Sequence, residues 1–255
     1  MSFPYRLGEG AARARIGVVV LRVDETVESD LRRLFPAPEV ALFVSRIESG
    51  DDLTPGTIAA MEARLTASAA LLPGVALDAL GYACTSGATL IGAARVAERL
   101  RAGARAGVVT DPLSAALAAF EALGARRIGF VSPYIASVSE PMAAAFAAGG
   151  VEVVSRVAFG ERAEARVARI DPASTAEAAR AVAAGAEAVF LSCTNLPTWE
   201  VIGPLEAELG VPMVSSNLAL AWALARAAGA PVASGAPGRL LAGLRREPDP
   251  EPRLG

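Results

Sequence analysis

The sequence predicts an α/β protein built from two parallel-sheet lobes related by a pseudo-twofold axis. Short β-branched apolar runs alternate with helical patterns of roughly ten to seventeen residues, the signature of parallel sheets covered on both faces. The chain also repeats itself. Arg127-Ile128-Gly129-Phe130-Val131 echoes Arg15-Ile16-Gly17-Val18-Val19, and the helical stretch Leu113 to Gly124 aligns without a gap with Leu218 to Gly229. Finally, the chain has 2 cysteines, Cys84 and Cys193, and each ends an apolar run at a comparable place in its half.

In chain order, residues 1–14 read as a loose leader and Arg15 to Leu21 as a first buried strand. Asp24-Glu25-Thr26 opens a helix to about Phe35, with acidic residues suited to the positive end of its dipole. Val40 to Val44 is a second strand, and Thr54-Pro55, a cap followed by proline, starts a helix to about Leu72. Leu77 to Ala83 is the third strand and delivers Cys84; helix 88–101, strand 107–110 and helix 113–123 follow. The second half runs through strand 127–131, a loop at 132–137, helix 138–148, strand 151–157, helix 174–184 and strand 188–192, which delivers Cys193. Helix 198–209, strand 211–214 and helix 218–228 complete it. The expected division is a first lobe over 1–112, completed by the C-terminal helix 215–230, a second lobe over 113–214, and a tail over 231–255 rich in Pro, Arg and Glu.

Composition narrows the function. The chain has 255 residues, 53% of them hydrophobic, a net charge of −3 and a pI near 5.3, which speaks against a nucleic-acid partner. Charges and glycines interrupt every apolar stretch well short of a membrane span, and no signal-peptide pattern opens the chain. A cytoplasmic location is therefore expected, where two cysteines are free thiols rather than a disulfide. Histidine is absent, which removes Ser-His-Asp and Cys-His machinery and most zinc sites. Cysteine becomes the natural acid–base group.

Ligands of open α/β sheets bind beyond the carboxyl ends of the strands, where both cysteines fall. Residues that initiate helices follow each one, so helix N-termini are expected to stabilise thiolate and lower both pKa values. Thr85, Ser86, Thr194 and Asn195 supply donors beside each sulfur, suited to a carboxylate or enolate oxygen. If the halves close about a pseudo-twofold axis, the two sulfurs approach a bound molecule from opposite sides. A thiolate and a thiol so placed can remove and return a proton beside a carboxylate. Alternatively, one thiolate adds to an activated double bond, which then rotates and re-forms. No metal or cofactor is required by either route.

The motifs Gly81-Tyr82-Ala83-Cys84-Thr85-Ser86-Gly87 and Leu191-Ser192-Cys193-Thr194-Asn195, with Ser132-Pro133-Tyr134 between them, resemble the aspartate/glutamate racemase superfamily, and within it the maleate cis–trans isomerase and arylmalonate decarboxylase branch. The stretch Asp24 to Arg33, with Ser45-Arg46-Ile47 and Leu53-Thr54-Pro55, is most similar to the ectoine-utilisation proteins of that branch. The resemblance spans roughly residues 13–230 and implies two Rossmann-like halves with the active site in the cleft between them. It implies that Cys84 and Cys193 are catalytic and that Tyr134 binds a substrate carboxylate. Thr85, Ser86, Thr194 and Asn195 would form the carboxylate-cradling loops, and Ser215, Ser216 and Asn217 either shape the pocket wall or cap a helix. In this branch the decarboxylases keep only the second-half cysteine, so retention of Cys84 argues against decarboxylation. Maleate isomerases carry an asparagine where Asp24 stands. An anion there would repel a second substrate carboxylate, whereas Asp24 or Glu25 could receive the ammonium group of an amino-acid-like substrate, unless both are solvated acids of a helix start.

The expected function is a cofactor-independent isomerase or racemase of a small carboxylate. The alternatives are a decarboxylase with Cys193 as proton donor, a non-catalytic metabolite-binding protein, and a redox switch through a Cys84–Cys193 disulfide. Apolar Ala-rich helix faces predict a homo-oligomer.

Overall fold

A computed structural model describes residues 2–8, 10, 12–50, 52 and 54–245. Leu53 of the sequence motif and residues 246–255 of the expected tail lie outside them. The first sheet consists of β1 (Ala14–Leu21), β2 (Val40–Ile47), β3 (Leu77–Ala83) and β4 (Ala106–Thr110), in the order β2-β1-β3-β4. The second consists of β5 (Arg127–Tyr134), β6 (Glu152–Glu161), β7 (Ala188–Leu191) and β8 (Met213–Ser215), in the order β6-β5-β7-β8. Every pairing within both sheets is parallel. The order reverses at β1/β3 and at β5/β7, so each lobe has its own switch-point crevice at the carboxyl ends of those strands.

The recurrent Ile-Gly pair has a packing cause. A Cβ on Gly17 would lie 2.6 Å from the Leu77 side chain, and one on Gly129 would run into the Val182 carbonyl. At Gly129 the obstacle is backbone, so only glycine lets β5 lie that close, whereas at Gly17 the end of the Leu77 side chain would have to turn aside. The core is continuous, and in the second lobe it centres on Phe120, Phe130, Phe146 and Phe190, packed edge-to-face or stacked with centroids 5.1–6.2 Å apart.

Two expected helices are broken. The stretch 54–72 is α2 (Pro55–Ala60) and α3 (Glu62–Ala69), and the stretch after Cys84 is α4 (Thr85–Ile91) and α5 (Ala93–Gly103), divided at Gly92, whose φ of 93° suits glycine alone. The expected loop 132–137 is instead the end of β5, up to Tyr134, and the start of a helix at Ala136. Pairing with β6 continues through Ser132 and Tyr134, with a register shift at Pro133, which has no N–H to donate. The other helices are α1 (Val27–Leu34), α6 (Pro112–Leu123), α7 (Ala136–Ala148), α8 (Glu164–Val167), α9 (Pro172–Ala183), α10 (Trp199–Leu209) and α11 (Ser216–Ala228). Helix α11 leaves the second sheet at β8 yet packs on α6 and on β3 of the first sheet. The segment after it is not a loose tail up to residue 245. Val232, Leu240 and Leu241 are buried, a 3-10 helix spans Arg239–Leu244, and the Arg239 N–H donates to Glu206. Among the described residues no helix is long and apolar enough to cross a membrane.

Candidate active site

The carboxyl ends of the four central strands bring Asp24, Cys84, Tyr134 and Cys193 to one buried region. Cys84 follows β3 and is the N-cap of α4, its Sγ accepting the Gly87 N–H at 3.2 Å and lying 3.6 Å from the Ser86 hydroxyl. Gly87 has no room for a side chain: its Cβ would sit 2.5 Å from the Tyr82 hydroxyl and 2.9 Å from the Cys84 sulfur. Cys193 lies two residues beyond β7, and its Sγ accepts the Asn195 N–H at 3.3 Å. It is the one non-glycine residue with positive φ, 94°, among the described residues. Such a conformation costs of order 1–3 kcal/mol and persists only where the surroundings impose it.

Here they do. The Ser216 hydroxyl accepts the Cys193 N–H at 3.0 Å and pairs with the Thr85 hydroxyl at 2.8 Å, joining the two cysteine motifs through the first turn of α11. The Thr194 hydroxyl lies 3.3 Å from the Ala83 carbonyl, a second link across the lobes. Asn217 donates to the Thr194 carbonyl and to Asp30, and Ser215 caps α11 by accepting the Leu218 N–H. Burial pushes the Asp30 carboxyl up to about 6 against the Asn217 bond.

Glu164, the first residue of α8, had no part in the sequence reading, yet it contacts one cysteine and shares a cavity with the other. Its Oε1 accepts the Cys193 thiol at 3.6 Å, its Oε2 is buried without a hydrogen-bond partner, and it lines the same cavity as Cys84 and Ser86. Cys84, Cys193 and Glu164 are only 3%, 2% and 2% exposed. The cavity, about 10 Å³, admits about one water molecule in this conformation, so a substrate requires its walls to move apart. The duplication held a hint of Glu164. The segments after β2 and β6 correspond, and Asp52 of the first pairs antiparallel with Ala163 of the second.

The expected lowering of the thiol pKa values is overturned. Burial pushes Cys84 up to about 11, the Ser86 hydroxyl and the Gly87 N–H only partly opposing it and the Glu164 charge adding to it. Burial and then the Glu164 charge hold the Cys193 thiol far above its ordinary range, against Tyr134 and the Asn195 N–H. Cys193 also lacks the helix start that its motif suggested, because α10 begins only at Trp199. Glu164 itself is pushed up to about 7 by burial and by the Asp24 charge. Tyr134 is buried with both sulfurs and Glu164 as electrostatic neighbours, and desolvation keeps it protonated.

The remaining predicted residues are occupied within the protein. Asp24 Oδ1 accepts the Thr26 and Val27 N–H groups and Oδ2 accepts the Thr194 hydroxyl, each at 2.8 Å, and burial raises its pKa. Asn195 accepts the Glu25 N–H and donates to the Glu164 carbonyl. Glu25 is paired with Arg169 at 2.7 Å. Among the described residues no cluster of three His, Cys, Asp or Glu is placed to hold a metal.

The model of one family, arylmalonate decarboxylase, matches residues 18–241. The chain belongs to that family. It is 28% identical over 240 residues to a maleate isomerase of Nocardia farcinica, covering 89% of this chain and 95% of that one. It is 29% identical over 228 residues to an arylmalonate decarboxylase of Bordetella bronchiseptica, covering 86% and 92%. Among solved structures it resembles a cysteine-to-serine mutant of the Nocardia farcinica maleate cis–trans isomerase with a covalently bound succinylcysteine intermediate, at a TM-score of 0.80 and 26% identity over 89% of this chain and 98% of that one. Its relatives thus include enzymes of two reaction types, and a cysteine carries the covalent intermediate in one of them.

Proposed function

We propose that the protein is a cofactor-independent isomerase or racemase of a small carboxylate, with Cys84 and Cys193 as the working pair. One observation carries this reading: the two cysteines, one per lobe, sit in a single buried network through Thr85, Ser216 and Thr194, with Glu164 acting on both. Turnover begins with one thiolate and one thiol. The Cys193 proton passes along its hydrogen bond to Glu164, whose pKa of about 7 suits it to hold a proton near neutral pH. In racemisation, the Cys193 thiolate then takes the proton from the carbon beside the carboxylate and the electron pair moves into the carboxylate. The Cys84 thiol returns a proton to the opposite face. In cis–trans isomerisation, a thiolate instead adds to the double bond, the new single bond rotates, and the carbon–sulfur bond breaks. The relative with a succinylcysteine intermediate supports that variant.

The sequence resemblance of Asp24 to Arg33, Ser45 to Ile47 and Leu53 to Pro55 to ectoine-utilisation proteins favours an amino-acid-like substrate, and we infer a cytoplasmic homo-oligomer. Incubation with candidate acids in D₂O, with exchange beside the carboxylate and geometry followed by NMR, tests the activity. Cys84→Ala should abolish it, and a decarboxylation that survives Cys84→Ala would replace the isomerase reading. The raised thiol pKa values favour a second reading, a metabolite-binding protein without turnover. Bound ligand unchanged in D₂O, with thiol alkylation still titrating above its ordinary range, would select it.

A further inference from the structure

Glu164 poses a problem that the protein's own side chains leave unsolved. It is a carboxyl group 2% exposed, with Oε1 on the Cys193 thiol and Oε2 facing no donor. An unsatisfied buried acceptor costs about 1–3 kcal/mol, more when charged. The cavity that it lines has eleven lining residues, among them two acids, Asp52 and Glu164, and no basic one. The chain contains no lysine at all. Of the arginines on the flanking segments, Arg46 pairs with Glu28 and the Asp24 carbonyl, Arg166 with Glu161 and Arg169 with Glu25, and Arg162 is exposed. No arginine is among the groups that act on Glu164. A second carboxylate in this cavity would meet a like charge in a dry setting, whereas an N–H cation would meet an acceptor that lacks only a donor. Asp24, the other acid considered for such a role, has both oxygens filled.

We propose that this site takes a monocarboxylate that also carries a positively charged nitrogen, an ammonium or amidinium, and that the free oxygen of Glu164 receives that N–H. This rests on the reading of the cleft as a small-carboxylate site.

Isothermal titration calorimetry at pH 8 with length-matched probes tests it: β-alanine against succinate, γ-aminobutyrate against glutarate, and propionate as the uncharged-tail control. In the wild-type protein the amino acids should bind about ten- to a hundredfold tighter than the matched dicarboxylates. Glu164→Gln should erase that preference by weakening the amino acids about tenfold or more, with propionate little changed. Equal or tighter binding of the dicarboxylates, an unchanged preference in the variant, or no binding of either amino acid would overturn the proposal. The wild-type comparison decides even if the variant misfolds. Glu164-dependent binding with neither exchange in D₂O nor a change of double-bond geometry in any candidate acid would sink the isomerase reading alone, and turnover of maleate would sink this one alone.

Discussion

Glu164→Gln should make the protein's stability less dependent on pH, by an amount that follows from the site. Burial and the neighbouring Asp24 charge raise the Glu164 carboxyl from 4.5 to about 7 in the folded state. A group whose pKa is raised on folding contributes stability that is complete below its unfolded pKa and disappears as the pH rises through its folded one. The window for Glu164 therefore runs from 4.5 to about 7. At about 1.4 kcal/mol for each pH unit, the wild-type protein loses about 3 kcal/mol across it. Glutamine is isosteric with the neutral carboxylic acid and cannot ionise, so the variant keeps what the wild-type loses. Urea unfolding of both proteins at pH 5 and pH 8 would measure this. The stability of the variant relative to wild type should rise by about 3 kcal/mol between the two pH values. A relative stability that is flat with pH, or that falls, would show that Glu164 is ionised without cost, and the electrostatics described for the site would be wrong.

The same substitution should lower the pKa of Cys193. Unit charges 3.6 Å apart interact by about 5 kcal/mol at an effective dielectric of about 20. In a Cys84→Ala background, adding Glu164→Gln should thus move the thiolate ultraviolet titration roughly one to three pH units lower, and an unchanged midpoint would contradict the contact. Gly87→Ala pushes a methyl against the Tyr82 hydroxyl and the Cys84 sulfur, so it should cost about 1–3 kcal/mol of stability and lower kcat more than it raises KM; an intact kcat would mean that the position of Cys84 is not critical. Because Cys193 sits at a φ of 94°, Cys193→Gly should be more stable than Cys193→Ala by about 1 kcal/mol, inverting the usual order, and thermal unfolding of the two variants would reveal the opposite ranking if the strain is absent.

The parallel sheets, the duplication and the position of both cysteines were legible because they rest on local signals: apolar runs, glycines that permit close packing, and residues at strand ends. Gly17 and Gly129 are recognisable as a pair because each follows an isoleucine on a central strand of its lobe and is closely packed there. What escaped was set by tertiary burial. A cysteine before a helix reads as an activated thiol, yet the desolvation that dominates Cys84 comes from side chains scattered over the whole chain. Asp24, Thr194 and Asn195 read as ligand-binding groups because they are polar and beside the motifs. Their actual bonds span up to 170 residues and clamp one lobe to the other. Glu164 escaped for a further reason: it lies in a four-residue helix after an edge strand, too short to carry any periodicity.

The two lobes do not meet as independent bodies, and this bears on how a closed cavity can admit anything. Helix α11 is chemically part of both. It starts at the end of β8, its Ser216 and Asn217 hold the backbone of Cys193 and Thr194, and its length packs against the first sheet. Any opening that pulled α11 from the second lobe would release the Cys193 N–H and the strained φ with it, so the cysteine pair and its aim are tied to an intact α11. Among the described residues the opposite wall is joined by one isolated bridge, Asp52 to Ala163, and two polar atoms buried there, Ser49 Oγ and Glu164 Oε2, have no hydrogen-bond partners to lose. Separation on that side breaks none of the bonds that α11 makes to Cys193 and Thr194, and it faces the buried Glu164 oxygen that still needs a donor.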